Sequence, residues 1–491
     1  MKKTSRLLLL ALGLACSAGI QDGVAQQAPA DGTWSLQEAV AYALKNNLQA
    51  RQSLMNQNLN AVDLRQSKFN RLPSINGGGN YNYNSGSYQD PVTFSLVNES
   101  SQTSNFSING SIPLFMGFQQ LNTIKQNELE LQASEQNALA VQNDITLQIV
   151  TAYLNILFAD ELIKTSTLQR DLTNQQLKRN RILFDAGSVA ENTVLELESQ
   201  FASDEVAIIN AQNQRDISRV NLMQMLNIPV GQGFEIEIPE IPEPDQSPVL
   251  MNGDQVYDVA VQTQPAIKAA DLRLLSAGKG LDIARGTYYP RLSIVGGVSS
   301  RYSSTSRFLT GRSTVDNGFL KYEFYEDEQG IEPKQTVFLP SVINTPVYGD
   351  YPFFDQIGDN IYKQVGVQLN VPILNGLQAR SNVQRAKIAQ ENAKLDADIA
   401  RNNLRQTIEQ AYVDALAAQR KYVAAREQLR AAEKNYRNAE LRLNNGVINT
   451  VDFNVIANSF RSAQSSLLQA KYEFTFKQKV LDFYQGKDIS F

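Results

Sequence analysis

Ile112-Pro113-Leu114-Phe115-Met116-Gly117-Phe118-Gln119 recurs as Val371-Pro372-Ile373-Leu374-Asn375-Gly376-Leu377-Gln378, a constant shift of 259 residues. The same shift carries Tyr153 onto Tyr412 and Gly187 onto Gly446. Earlier in each half the shift is nearer 219, matching Ser74-Ile75 to Ser293-Ile294, so the second half has gained about 40 residues between its two apolar segments. The chain is a duplicated unit with one enlarged loop. Residues 26–228 form the first repeat and 251–491 the second. Between them, Pro229, Pro239, Pro242, Pro244 and Pro248 mark a linker over 229–250 that can be neither helix nor central strand.

Upstream of each repeated octapeptide the apolar residues alternate with period two, the signature of a strand with one apolar face. Phe106, Ile108, Ile112 and Leu114 share one face, and Asn105, Ser107, Asn109 and Ser111 the other. In the second repeat Val365, Val367, Leu369, Val371 and Ile373 oppose Gln364, Gly366, Gln368 and Asn370. Ile75 to Tyr83 and Leu292 to Ser299 supply one further strand per repeat. Each unit thus offers two strands of about ten residues.

Downstream of each octapeptide lies a run without Gly or Pro, Phe118 to Ala186 and Leu377 to Asn445, 69 residues in both. As a helix at 1.5 Å per residue it would be about 100 Å long, far beyond a compact domain. Ile145, Ile149, Tyr153 and Ile156 form a narrow stripe mirrored at Leu404, Ile408, Tyr412 and Ala415, which suits a coiled coil. Gly187 and Gly446 read as left-handed caps, after which a second helix returns over about 190–227 and 449–485. A helix over 36–70 precedes the first strand. Helices 36–70 and 190–227 together match the length of the long helix, which predicts two shorter helices stacked end to end beside it.

Composition excludes most enzymology. Of 491 residues, none is His and one is Cys, so imidazole bases, His-oriented nucleophiles, thiolate metal clusters and internal disulfides are absent. No paired carboxylate, phosphate loop or metal constellation stands out, and no catalytic residue or cofactor is expected. The net charge of −5 argues against a nucleic-acid surface. At the N-terminus, Lys2, Lys3 and Arg6 precede an apolar run from Leu7 to Cys16 and the small-residue site Gly23-Val24-Ala25, the pattern of a secretory signal over residues 1–25. Ten apolar residues are too few to span a bilayer, which takes about 20. Cleavage after Ala25 would remove three positive charges, Asp22 and the only Cys, moving the net charge from −5 to −7. The rival reading makes Cys16 a lipidated N-terminus, although Gly13 stands three before it where Leu is usual.

An exported chain with ten-residue strands, apolar on one face and Asn/Gln/Ser/Gly on the other, fits strands that span an outer membrane with lipid outside and water inside. Phe106, Ile108, Ile112, Val365, Val367, Leu369 and Val371 would then face lipid. Any single strand of this kind would equally suit a half-buried soluble sheet. Four strands cannot close a membrane barrel, whose minimum is about eight. Three chains would bring twelve, with a ring of helices beneath. The fold class expected is therefore mainly α with a membrane β-barrel.

Trp34-Ser35-Leu36-Gln37-Glu38-Ala39-Val40 with Ala43-Leu44-Lys45-Asn46-Asn47, the paired Pro-x-x-x-Gly joints and the two glycine turns resemble the TolC-like outer membrane efflux proteins, over nearly the whole mature chain. The resemblance implies a homotrimeric outer membrane channel, a 12-stranded barrel continued by an α-helical periplasmic tunnel. It also implies partners: a periplasmic adaptor protein docked on the helical tips, here Gly187, Ser188, Val189, Gly446, Val447 and Ile448, and an inner membrane pump of RND or ABC type. In that family's best-known members a Tyr three before the second glycine, an Arg two after it, and Asp six and nine after it form the gate. Here those places hold Leu443, Ile448, Asp452 and Val455, so one acidic position survives and the Tyr/Arg latch is missing.

Plainer readings stand beside these. The two glycines are helix caps first, and Asp452 could simply favour a helix N-terminus. Glu191, Glu196 and Glu198 read as solvated charges. Tyr322-Glu323-Phe324-Tyr325-Glu326-Asp327-Glu328 falls in the enlarged loop 303–362, expected outside the cell along with 84–102. The alternative function is a secreted coiled-coil scaffold whose sheets cap an oligomer. The strand faces discriminate, because a scaffold has no reason to expose Val365 to Ile373 to lipid.

Overall fold

The computed structural model describes residues 33–89, 94–98, 100–229, 233–238, 243–244, 252–324, 335–448 and 450–487. The signal segment, Cys16, most of the proline linker and residues 325–328 of the acidic run lie outside them. The described chain falls into two compact units. One comprises its residues within 1–62, 129–275 and 391–491, the other those within 63–128 and 276–390.

The first unit is helical. Where one helix was expected over 36–70 there are two, α1 (Leu36–Asn46) and α2 (Leu48–Phe69). Asn47 causes the break: its backbone is extended, its Oδ1 accepts from the N–H groups of Gln49 and Ala50, and its Nδ2 donates to the Met225 carbonyl at 2.8 Å. Ser35 opens α1 through a capping box with Glu38. The long helix α3 (Gln119–Asp185) and its return α4 (Glu191–Leu226) follow. The Asn47–Met225 bond puts the start of α2 against the end of α4, the end-to-end stacking expected. The second repeat copies this break in α5 (Gly253–Thr263) and α6 (Pro265–Arg285), where Gln264 is extended and Pro265 opens the next helix.

Ile145, Ile149, Tyr153 and Ile156, the stripe read from the sequence, form the main core with Trp34, Leu222, Leu226 and Phe234. A stretch of α3 is long and apolar enough to cross a membrane, yet the buried run from Ile145 to Ala159 uses that apolarity for packing. Burial pushes the Tyr153 hydroxyl above its ordinary pKa. That hydroxyl lies 3.0 Å from the Trp34 carbonyl and 2.5 Å from that of Glu237. It thereby clasps two short parallel strands, Thr33–Trp34 and Glu235–Ile236, so part of the linker is an edge strand.

In the second unit β1 (Ser74–Asn84), β2 (Ser101–Met116), β3 (Arg291–Ser303) and β6 (Tyr362–Asn370) make one antiparallel sheet in the order β6-β3-β2-β1. Two expectations need correction. Val371 and Ile373 lie beyond β6, which ends at Asn370 before Pro372 removes a donor. A bulge at Leu114, beside Pro113, shifts the register so that Phe115 pairs with Leu292 and continues the apolar face in place of Leu114. The described residues of the enlarged loop 303–362 are structured: β4 (Arg307–Phe324) and β5 (Gln335–Asp350) pair as a separate antiparallel ribbon, followed by the short helix α7 (Phe353–Asp359).

The two octapeptides turn strand into helix identically. Gly117 and Phe118 have φ of +61° and +62°, Gly376 and Leu377 +60° and +62°, two left-handed residues in succession. The long helix α8 (Gln378–Asn444) then matches α3 at 67 residues and returns as α9 (Thr450–Tyr484).

Candidate functional site

Three surfaces carry the chemistry: the apolar face of the sheet, its two edges and the two helical tips. On the sheet, Ile108 pairs with Val298 and Ile112 with Ile294, which pairs in turn with Val367. Val365, Val367 and Leu369 are 87%, 70% and 62% exposed in the single chain, so this face is uncovered by any described residue. An apolar area of that kind is unstable in water and marks an interface. The opposite face is mostly polar, with Asn76, Asn80, Asn105, Ser107, Asn109, Ser293, Gln364 and Gln368, and carries Val295 and Pro113 as apolar exceptions.

Aromatic rings close the apolar band at both ends. At one end Phe353 of α7 packs on Phe106 and Tyr302, ring centroids 6.3 and 4.9 Å apart. At the other, Phe118 meets Phe115 at 5.1 Å and Tyr289 at 6.1 Å. From Phe106 to Phe115, strand geometry at a tilt of ~40° gives a height of roughly 20–25 Å, the apolar thickness between the aromatic girdles of outer membrane barrels. Lys363, opposite Val298, brings a charge onto this face, and its stem is long enough to carry the ammonium to a headgroup. Helix α7 is fixed by Gln356, fully buried, whose Nε2 donates to the Ser303 carbonyl at 3.0 Å while its Oε1 accepts from the Ser303 N–H. Sequence reading missed Phe115, Phe353 and Gln356. The run Tyr351-Pro352-Phe353-Phe354 was the available signal.

Strands β1 and β6 are the sheet's edges, each with a row of unpaired backbone groups in the single chain. In hydrocarbon such rows cannot stay unpaired.

The tips are built alike. At the first, Gly187 has φ +71° and its N–H donates to the Phe184 carbonyl, while the Ser188 N–H reaches back to Leu183. At the second, Gly446 has φ +68° and donates to Leu443, while Val447 reaches back to Arg442. Both are Schellman caps. A Cβ at either glycine would meet nothing within 4 Å, so the glycines serve the backbone angle alone. Gly187, Ser188, Gly446 and Val447 are exposed, while Val189 and Ile448 are half-buried. Asp452 lies exposed in the first turn of α9 with Val455 exposed one turn on, whereas Leu443 and Ile448 are partly tucked against the hairpin. Behind this tip Tyr436 stacks on Phe460 at 5.0 Å and leans on Phe453. Glu198 pairs with Arg181 at 2.5 Å and Glu196 accepts from Asn192, local surface contacts as expected of solvated charges.

The sequence profile described as outer membrane efflux protein matches residues 39–227 and 256–486. Outer membrane efflux protein BepC of Brucella suis is 20% identical over 441 residues, 89% of this chain and 82% of that one. Among solved structures, the Campylobacter jejuni CmeC outer membrane channel aligns with a TM-score of 0.71 at 15% identity, over 92% of this chain and 84% of the other. The outer membrane protein VceC of Vibrio cholerae gives 0.69 at 14%, over 92% and 96%. The chain belongs to the outer membrane efflux protein family, a family of transport proteins. It is an exit channel of the outer membrane that extends into the periplasm, and its fold is that of the mainly helical TolC-like channels.

Proposed function

We propose that this member of the family works as a homotrimer in which three four-stranded sheets close one 12-stranded barrel, continued by an α-helical periplasmic barrel. The observation that carries the reading is the sheet itself. Its two free edges need partners, its apolar face is as tall as an outer membrane is thick, and its polar face suits a water-filled lumen. Three copies joined β1 to β6 satisfy both edges and leave none. The channel is a passive conduit, opened at its periplasmic end by an adaptor protein and powered by an inner membrane pump of RND or ABC type. The tips around Gly187–Val189 and Gly446–Ile448 are its docking surface. Asp452, with Leu443, Ile448 and Val455, forms the constriction: three Asp452 carboxylates brought together in a narrow neck would bind cations, and the apolar neighbours would close by excluding water.

Crosslinking in intact cells followed by purification from detergent extracts tests the partnership. An adaptor and a pump should co-purify with the parent chain and be lost when Gly446 and Val447 are both replaced by Asp, with trimer yield unchanged. Recovery of both proteins with that variant would overturn the docking assignment. Topology is tested by single cysteines, since a mature chain cut after Ala25 has no thiol of its own. Position 328, outside the described residues, should react with an impermeant reagent on intact cells and position 187 should not. The opposite pattern refutes the arrangement.

A further inference from the structure

The ribbon of β4 and β5 joins no other sheet among the described residues, and its strands run 18 and 16 residues. A two-stranded ribbon is marginal in water by itself, and gains independent stability from further strands or a covering layer. Its two faces differ in charge. Arg312, Asp316 and Lys321 pair with Pro346, Val342 and Phe338, all on one face. Among the described residues, the other face carries no charge between the Arg307–Asp350 pair at the base and Tyr322. It presents Val315 opposite Ile343, Leu320 opposite Leu339, and Val347, each close to half exposed.

We infer that this uncharged face packs against the same face of the ribbons from the two other copies, forming a second intermolecular contact outside the barrel. The inference rests on the trimer proposed above. Three observations select a second copy as the occupant. The ribbon is rooted between β3 and β6, and β6 is a free edge, so each ribbon rises beside the seam where copies would meet. Three identical ribbons on one rim meet at the millimolar effective concentrations of short tethers, ahead of any dissolved partner. Phe308, at the base of the same face, is likewise half exposed, so the apolar side chains run along the ribbon as one uncovered strip of the kind that marks an interface. A bilayer surface is disfavoured, because the ribbon starts beyond the Phe106–Tyr302–Phe353 ring cluster, at an ion pair between Arg307 and Asp350.

The test uses the full mature chain purified in detergent, sized first and then oxidised with copper phenanthroline. Ile343→Cys should give a disulfide-linked dimer approaching two of every three chains, since three thiols about a threefold can pair only two at a time. Asn344→Cys, one residue on and facing the other way, should give several-fold less. No excess of dimer for Ile343→Cys in a particle sized as a trimer overturns the inference, whether that thiol proves buried in detergent or open to water. A particle sized as a single chain overturns the trimer itself, and the ribbon contact with it.

Discussion

The two helical hairpins share a backbone and differ in their interiors. Both have a 67-residue helix ended by the same glycine cap. The first packs large side chains, Ile149, Tyr153, Ile156, Leu222 and Leu226, around the clasp of Trp34 and Phe234. The second packs more alanines, Ala411, Ala415, Ala418, Ala425 and Ala470, beside Ile408 and Leu481, with aromatic stacks of Tyr422 on Phe474 and Tyr436 on Phe460. Where the first hairpin has Asn155 and Ser218, the second has Asp414 and Lys477, paired at 2.7 Å, and that hydrogen bond holds the Asp414 carboxyl below the usual carboxylate range. Duplication has preserved lengths and caps, which set geometry, and has let the seams diverge. The first half clasps its own beginning to the linker that follows it, and the second carries the enlarged insertion and Asp452.

Four experiments sharpen or break that division. The largest effect is expected at the sheet, where the first repeat's edge has Gly77 and Gly79 and the second repeat's edge has Val365 and Val367 on the apolar face. Val367→Lys should cost ~2–4 kcal/mol per chain at mid-bilayer and abolish the heat-modifiable trimer on gels, while Gln368→Lys on the lumen face should leave it intact. Equal loss from both would mean that the two faces have been misread.

Tyr153→Phe leaves the Glu237 carbonyl short of a donor and takes one of two from the Trp34 carbonyl, which the Glu237 N–H still reaches at 2.9 Å, and should destabilise the channel by about 1–3 kcal/mol in urea unfolding. Its repeat partner, half-buried Tyr412, clasps no strands among the described residues, and Tyr412→Phe should be close to neutral. If the two cost the same, the clasp is not what distinguishes the halves. Gly187→Ala and Gly446→Ala should each cost about 1 kcal/mol and by similar amounts, because both glycines have positive φ and open surroundings. Calorimetric melting that separates them by more than a few degrees would show the caps to differ.

The smallest stability change is expected at the acidic tip. Asp452→Asn should alter stability by at most about 1 kcal/mol, the scale of a helix-dipole contact, yet weaken multivalent-cation block and cation preference in planar bilayers. Ile448→Ser should raise resting conductance. Bilayer records in which both match the parent channel would leave Asp452 an ordinary first-turn residue.

Much of the fold is written in local patterns. The 259-residue repeat, the Gly-free runs and the two glycines fix helix ends to within a residue or two, because caps and periodicity are local physics. The break at Asn47 is legible only in part: an Asn in a helical run signals a cap, but the Met225 carbonyl it binds is 178 residues away. The bulge at Leu114 and the clasp at Tyr153 likewise depend on partners distant in sequence. The ribbon was hidden by its setting. Val337, Leu339, Ile343 and Val347 keep strand parity, yet Pro340, Pro346 and the neighbouring acidic run read as loop. The gate candidates at the second tip came from the family resemblance. The convergence proposed for them would be a property of three chains, and no single sequence contains it.

Native mass spectrometry of the detergent-solubilised, folded protein tests the central claim most directly, because everything about the lumen and the gate follows from closing the two sheet edges between copies. The account predicts a particle of three mature chains that survives mild activation and releases single chains only on heating. A folded particle of one chain, with the same circular dichroism and no larger species across a range of detergents, would contradict it.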